Sequence, residues 1–395
     1  MPLYLFAAEA AALLGISRQT LYAYVSRGLL RAHPTDNHRV NRYRRDEVEA
    51  LARSRARGRK PRETARATLN WGLPVLESGL TLIRDNRLYY RGRDAVRLAG
   101  SASVEQVAAL LWQCDESEAF AAAPPPLPPV LDAVRPVYAG QSPRLALPAL
   151  FALAPGNEDT AVWQTDPKRR TTGCGNLLRI LAACLLGTSV QTAPLHRQCA
   201  RAWNLDEAGA ELARMALVLC ADHELNASGF TARCIASTGA SLHAAVLGGL
   251  CALGGGRHGG ATDRIEAFWD EMGDMSAPDV SLRRRLERGD ALPGFGHPLY
   301  PDGDARATAL LAAILPARPR WKDWLDTAER LTGQRPSIDL ALVAARRHLN
   351  LPQGSAFGLF ALGRSIGWIA HALEQRAEDR LIRPRAAYAG PPPES

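Results

Sequence analysis

Polar and apolar positions alternate with a helical period over most of this chain. Ala7 to Leu14 is a run of alanine and leucine, both strong helix formers, and Gly15 suits the left-handed residue that closes a helix. Ser17 is placed as the N-cap of a second helix. There Leu21 and Val25, at i and i+4, form an apolar stripe, and Arg18, Gln19, Tyr22 and Arg27 point outward. Beyond residue 70 amphipathic helix dominates, rich in Ala and Leu and poor in β-branched runs. The exception is residues 79–92 (GLTLIRDNRLYYRG), where two extended pieces flank Asp85-Asn86, a hairpin signal. Proline-rich residues 121–130 predict an exposed loop. The sequence holds no internal repeat and no Walker or dinucleotide-binding loop.

At 395 residues the chain is long enough for two or three domains and a sizeable core. Apolar residues make up 47%, yet no uncharged run approaches the ~18 residues of a membrane span. The N-terminus lacks the basic start and cleavage site of a signal peptide. Seven cysteines (114, 174, 184, 199, 220, 234, 251), mostly in apolar helical context and without a CxxC pair, read as reduced core residues of a cytoplasmic protein. Charge changes the picture most. Residues 1–66 carry 14 Lys/Arg against 6 Asp/Glu, whereas the other 329 residues carry 34 of each sign. The whole excess of +8 therefore sits in one N-terminal segment, which points to an anionic partner for that segment alone, most simply nucleic acid.

Residues 7–30 (AAEAAALLGISRQTLYAYVSRGLL) resemble the helix-turn-helix of the MerR-like and excisionase-like DNA-binding families. Residues 39–51 (RVNRYRRDEVEAL) are similar to their wing strand and following helix. The resemblance implies a DNA-binding domain over 1–55, with Arg18, Gln19 and Tyr22 at base edges and Arg39, Arg42 and Arg44 on phosphates. The competing reading is a basic helical module that stabilises a dimer or docks another protein. Arginine-rich residues 56–69 read as a charged linker.

The catalytic inventory lies further along. His223 stands in ADHELNAS, His258 in GGGRHGGAT, His297 in PGFGHPLYPDGDAR and Asp339 in RPSIDLAL; Arg306, Arg364 and Arg383 accompany them. These side chains supply proton donors, one carboxylate base and guanidinium forks for a polyanion. Zinc is a poor reading, because the histidines form no HxxxH pair and no cysteine sits at ligand spacing. Each residue also has an ordinary reading. A lone histidine is more often structural, the assignment given to His196, His243, His348 and His371. Ser337 or Asp339 could be a helix N-cap, and Arg364 and Arg383 surface ion-pair members.

In order and spacing, these motifs resemble the citrate synthase family, as do LYYRGRDAVRLA (88–99) and the helix SVEQVAALLW (103–112). The resemblance implies an all-α, two-domain helical fold: a large domain over 70–259 and 346–395 and a small one over 260–345. It implies a homodimer that condenses acetyl-CoA with oxaloacetate, without metal or redox cofactor and without a membrane. In that scheme Asp339 removes the thioester α-proton and His258 stabilises the enolate, a kind of donor worth ~3–4 kcal/mol. His297 protonates the ketone, and His223, Arg306 and Arg364 bind oxaloacetate together with Arg383 from the partner subunit. One departure from the family pattern stands out. Pro301 occupies a position where many relatives are basic, and Ala305 replaces a proline, so the resemblance does not carry over one coenzyme A phosphate contact of the family, while the arginine clamp is unaffected.

Three functions use these residues. One is a citrate synthase with an accessory DNA-binding module. The second is 2-methylcitrate synthase using propionyl-CoA, whose extra methylene is worth only ~1–3 kcal/mol of discrimination. The third is a transcription regulator whose enzyme-like domain senses oxaloacetate or an acyl-CoA, against which the presence of Asp339 argues, because sensing needs no base. For the N-terminal segment the expected outcome is duplex DNA binding whose affinity falls steeply with salt, measured by fluorescence anisotropy. Unchanged affinity after removal of residues 1–60 would end that assignment.

Overall fold

The computed structural model describes residues 4–26, 30–34, 41–49, 51, 76–154, 156, 158–386 and 388–391. Arg27, Arg39 and the linker 56–69 lie outside the described residues. The chain divides into two compact units, Met1–Glu77 and Ser78–Ser395.

In the first unit the helix Ala7–Leu14 ends on Gly15, whose φ of 61° is the left-handed conformation expected of it. The Ser17 hydroxyl accepts the Thr20 amide at 3.1 Å and so caps the helix Arg18–Ser26. Strands Tyr4–Phe6, Asn41–Arg44 and His33–Pro34 form an antiparallel sheet with Asn41–Arg44 in the middle, and residues 45–49 turn helical after it. Leu5, Ala10, Leu14, Leu21, Tyr43 and Val48 make a small closed core. Arg18, Gln19 and Tyr22 are exposed. Arg42 lies over the Tyr4 ring at 4.4 Å, and Arg44 binds Asp46 through two hydrogen bonds.

The second unit is mostly helical, as expected. Its hairpin pairs Thr81–Arg84 with Arg87–Tyr90 across Asp85 and Asn86. Both turn residues have positive φ, 50° and 61°, which matches the right-handed strand twist. The proline-rich segment is a loop through residue 128 and then becomes the helix Pro129–Val134.

The centre of the unit is the helix Ser355–Glu378. It packs against the helices Val104–Trp112, Pro167–Leu186, Glu207–Leu219, Ala227–Ser237, Leu242–Leu253 and Ile338–His348. By length and composition this helix could cross a membrane, but 94% of its apolar stretch is buried inside the protein. Close packing requires small residues on it. A Cβ on Gly367 would lie 2.6 Å from the Ala221 carbonyl oxygen, the same atom that accepts the Gly367 amide.

A second apolar centre lies in residues 260–345, where Trp324 is fully buried among Trp269, Phe268 and Phe295. The apolar core runs continuously from there into the rest of the unit. All seven cysteines are free: four are buried, two are half-buried, and Cys251 is exposed. Trp324→Ala should cost about 3–5 kcal/mol in urea denaturation, because the aromatic cage around it cannot collapse. Trp324→Phe should cost less, since the indole N–H is buried without a partner.

Candidate active site

The loop that follows the helix Glu207–Leu219 is pinned from below before it presents His223. Tyr90, fully buried, places its hydroxyl 3.0 Å from the Val218 carbonyl and 3.4 Å from the Asp222 amide. Asp222 accepts the Thr81 hydroxyl and lies 3.3 Å from His371 Nε2. These contacts aim His223 toward Tyr300, with Nε2 2.9 Å from the tyrosine oxygen and the ring 5.3 Å from that of His297.

His297 stands in a loop that is joined to the approach to Asp339. The Gly296 amide donates to the Arg335 carbonyl at 2.8 Å, and the Ser337 amide to the Gly294 carbonyl at 2.7 Å. Gly294 has φ of 84°, and a Cβ there would meet the Leu340 side chain at 2.8 Å, so the junction requires glycine. The Leu299 amide donates to His297 Nδ1 at 3.2 Å, which leaves the proton of the neutral ring on Nε2. Asn86, at the tip of the hairpin, donates to the Gly303 carbonyl of the same loop.

Asp304 then caps the helix Ala305–Ile314 and grips Arg306 through Nε at 2.9 Å and a terminal nitrogen at 2.8 Å. Its second oxygen accepts the Ile338 amide at 3.0 Å. That bond sets Asp339 as the second residue of the helix Ile338–His348, with its Oδ1 buried and unpartnered. Ser337 occupies the N-cap position in extended backbone, without a side-chain cap bond, so of the two N-cap readings of this segment the one for Ser337 holds in place and the one for Asp339 does not. Arg364, inside the central helix, is also buried rather than a surface ion-pair member; its Nε donates to the Cys220 carbonyl at 2.8 Å. His258 follows the glycine turn, with Nε2 2.9 Å from Ser228 Oγ.

Burial and two arginines set the charge states. Burial raises the Asp339 carboxyl to about 6, against the opposing pull of Arg306 and Arg364. Burial lowers His258 to about 3, with Arg364 adding to the effect, and lowers His297 to about 4, with Arg306 adding. His223 is driven well below its ordinary value by burial first and then by Arg306 and Arg364. Burial alone would raise Asp304, but Arg306 outweighs it and holds the carboxylate ionised. The site therefore contains three neutral imidazoles, two fixed cations and one carboxylate poised near neutrality. No cluster of metal-ligating side chains occurs among the described residues.

The sequence matches "Citrate synthase, C-terminal domain" over residues 68–385. The chain belongs to the citrate synthase family. Residues 4–56 match a helix-turn-helix domain. Citrate synthase of Haloferax volcanii is 32% identical over 357 residues, spanning 81% of this chain and 94% of that one. Citrate synthase 2 of Bacillus subtilis is 35% identical over 185 residues, a match spanning 45% of this chain and about half (50%) of that relative. 2-Methylcitrate synthase 1 of Corynebacterium glutamicum is 34% identical over 183 residues, 44% of this chain and 48% of that one. Two solved structures share the fold. Citrate synthase of Thermotoga maritima has TM-score 0.68 at 24% identity, and that of Thermoplasma acidophilum, in ternary complex with carboxymethyl coenzyme A and oxaloacetate, has 0.69 at 23%. Each alignment covers 82% of this chain and 96% of the other.

In this citrate synthase family member six of the seven expected site residues lie in the second unit's interior or at its half-buried loops: His223, His258, His297, Arg306, Asp339 and Arg364. Arg383 does not join them within the chain; it is exposed, and donates to the Pro384 carbonyl at 3.1 Å. Sequence reasoning missed Asp304, Tyr300 and Ser228. Asp304 stands two residues before Arg306, the spacing at which an N-cap carboxylate can also hold the following guanidinium, and that signal was legible. Tyr300 and Ser228 lay inside quoted motifs, but nothing in their type announced a contact with histidine. His371, given no role, lies against Asp222.

A buried carboxyl held near 6 makes a linkage prediction. The unfolded chain releases this proton near 3.8, so the stability that Asp339 contributes below that pH is lost as pH rises through 6. Asp339→Asn should therefore gain stability over the parent chain between pH 4 and pH 8, by at most about 3 kcal/mol in urea denaturation. An equal stability difference at both pH values would show an ordinary carboxyl.

Proposed function

We propose that the chain is a citrate synthase-type acyltransferase that condenses acetyl-CoA with oxaloacetate. The observation that carries this reading is the Asp339 carboxyl, raised to about 6 in the field of Arg306 and Arg364, the same two buried arginines that help to keep the three imidazoles neutral. A carboxylate so destabilised is a stronger base than one in water, which the weakly acidic methyl of a thioester demands. Asp339 takes the α-proton, and the electron pair moves to the thioester oxygen, where His258 donates. The methyl carbon then bonds to the ketone carbon of oxaloacetate, and the ketone oxygen takes its proton from His297 Nε2. Water cleaves the resulting citryl thioester and releases CoA. Arg306, Arg364 and His223 hold the oxaloacetate carboxylates and ketone, each guanidinium giving up part of its present bonding to do so.

Arg383, exposed on this chain, would serve the site of a second copy, and residues 260–345 would close over bound substrate as the smaller domain. The N-terminal unit would bind duplex DNA through the exposed face of the helix Arg18–Ser26. The likeness to a 2-methylcitrate synthase supports propionyl-CoA as an alternative acyl donor.

Thiol release with oxaloacetate and either acetyl-CoA or propionyl-CoA tests the reading and ranks the two donors. Turnover is expected, and Asp339→Asn should lower it by more than about 100-fold while calorimetry finds oxaloacetate binding nearly unchanged. A parent chain that binds oxaloacetate yet releases no thiol would leave a sensor in place of an enzyme.

A further inference from the structure

The Ser228 hydroxyl has one proton to give and three neighbours to satisfy. Asn226 Oδ1 lies 2.7 Å away, His258 Nε2 2.9 Å away and Trp368 Nε1 3.0 Å away. The indole can only donate. Asn226 Oδ1 also accepts the Ser228 and Gly229 amides at 3.1 Å each, which identifies that atom as oxygen and therefore as an acceptor. Ser228 is fully buried and Trp368 is fully buried, so water does not complete the set.

Two proton arrangements fit these contacts. In the first, Ser228 donates to Asn226 and accepts from both Trp368 and His258; His258 then carries its proton on Nε2 and its Nδ1 is bare. In the second, Ser228 donates to His258 Nε2, accepts from Trp368 alone, and His258 carries its proton on Nδ1. Asn226 Oδ1 remains satisfied by its two amides in either case. Nε2 is occupied by Ser228 throughout, so only the second arrangement lets neutral His258 donate a hydrogen bond to a ligand.

We propose that Trp368 is a positioning residue that, through the Ser228 hydroxyl, lowers the cost of moving His258 to its Nδ1–H tautomer when a ligand oxygen meets Nδ1. The indole N–H fills one Ser228 lone pair permanently. A second donor to the same oxygen, as the first arrangement requires, is then weakened, a competition that the second arrangement avoids. Trp368 thereby biases His258 toward the Nδ1–H form, the one that can stabilise an enolate oxygen. Within the resting protein the first arrangement holds more internal bonds; a thioester oxygen at Nδ1 tips the balance to the second. This inference rests on the condensation reading for its consequence, but the tautomer itself is measurable without turnover.

The test uses the full chain labelled with 15N-histidine, with His258 resonances assigned by His258→Gln, and carboxymethyl-CoA plus oxaloacetate as the probe. The parent chain should move from Nε2–H to Nδ1–H when both ligands are added. In Trp368→Phe the Nε2–H form should persist, and kcat should fall about tenfold with KM for oxaloacetate unchanged. Because phenylalanine also leaves a void, a second variant carries benzothienylalanine at 368, which keeps the shape of indole and lacks only the N–H. It should behave as Trp368→Phe does. Parent-like tautomer and kcat in the benzothienylalanine variant would overturn the proposal, as would a parent chain whose His258 tautomer ignores the ligands. A parent chain that switches tautomer yet shows no turnover would sink the condensation reading and leave this one standing.

Discussion

The Asp304 carboxylate accepts from the Arg306 amide, from two nitrogens of the Arg306 guanidinium and from the Ile338 amide, all inside the protein. One group thus starts one helix, holds the buried Arg306 guanidinium and fixes where the helix bearing Asp339 begins. A buried pair of this kind contributes little net stability compared with apolar packing, but removing one partner leaves an uncompensated charge in the interior. Its value here is geometric. The loop carrying His297 and the segment leading to Asp339 come from different parts of the sequence, and the shared carboxylate prevents them from moving independently.

The same buried ions explain how one site keeps a carboxyl and its imidazoles in different charge states. Arg306 and Arg364 disfavour protonation of the imidazoles and, to a lesser degree than burial opposes it, favour ionisation of Asp339. Desolvation therefore decides the carboxyl, and desolvation and charge act together on the histidines. Neutral histidines among cations are hydrogen-bond donors that cost no proton from solvent, which suits a reaction whose charge develops on oxygen.

Much of this was legible in the sequence, for reasons that differ by element. Gly15, Ser17 and the Asp85-Asn86 turn are dictated by local backbone chemistry, and each lies where local rules put it. His223, His258, His297 and Asp339 stand out in the sequence because each sits in a short motif that resembles the family's in order and spacing, and the fold buries or half-buries all four. The partners do not. Whether Ser228 touches His258, or Tyr300 touches His223, depends on long-range packing that no local pattern encodes. Arg364 shows the limit from the other side, since an arginine on an apolar helix reads equally well as a surface residue until its neighbours are known. Arg383 is an exposed side chain whose one hydrogen bond within the described residues is to the neighbouring Pro384 carbonyl.

The helix Ser355–Glu378 has a consequence for how the molecule is made. Every helix packed around it precedes it in the chain. During synthesis those helices emerge first, each with an apolar face whose partner has not yet been translated. That surface stays without its central partner until the last helix has left the ribosome, so the core of this unit closes only at the end of its synthesis.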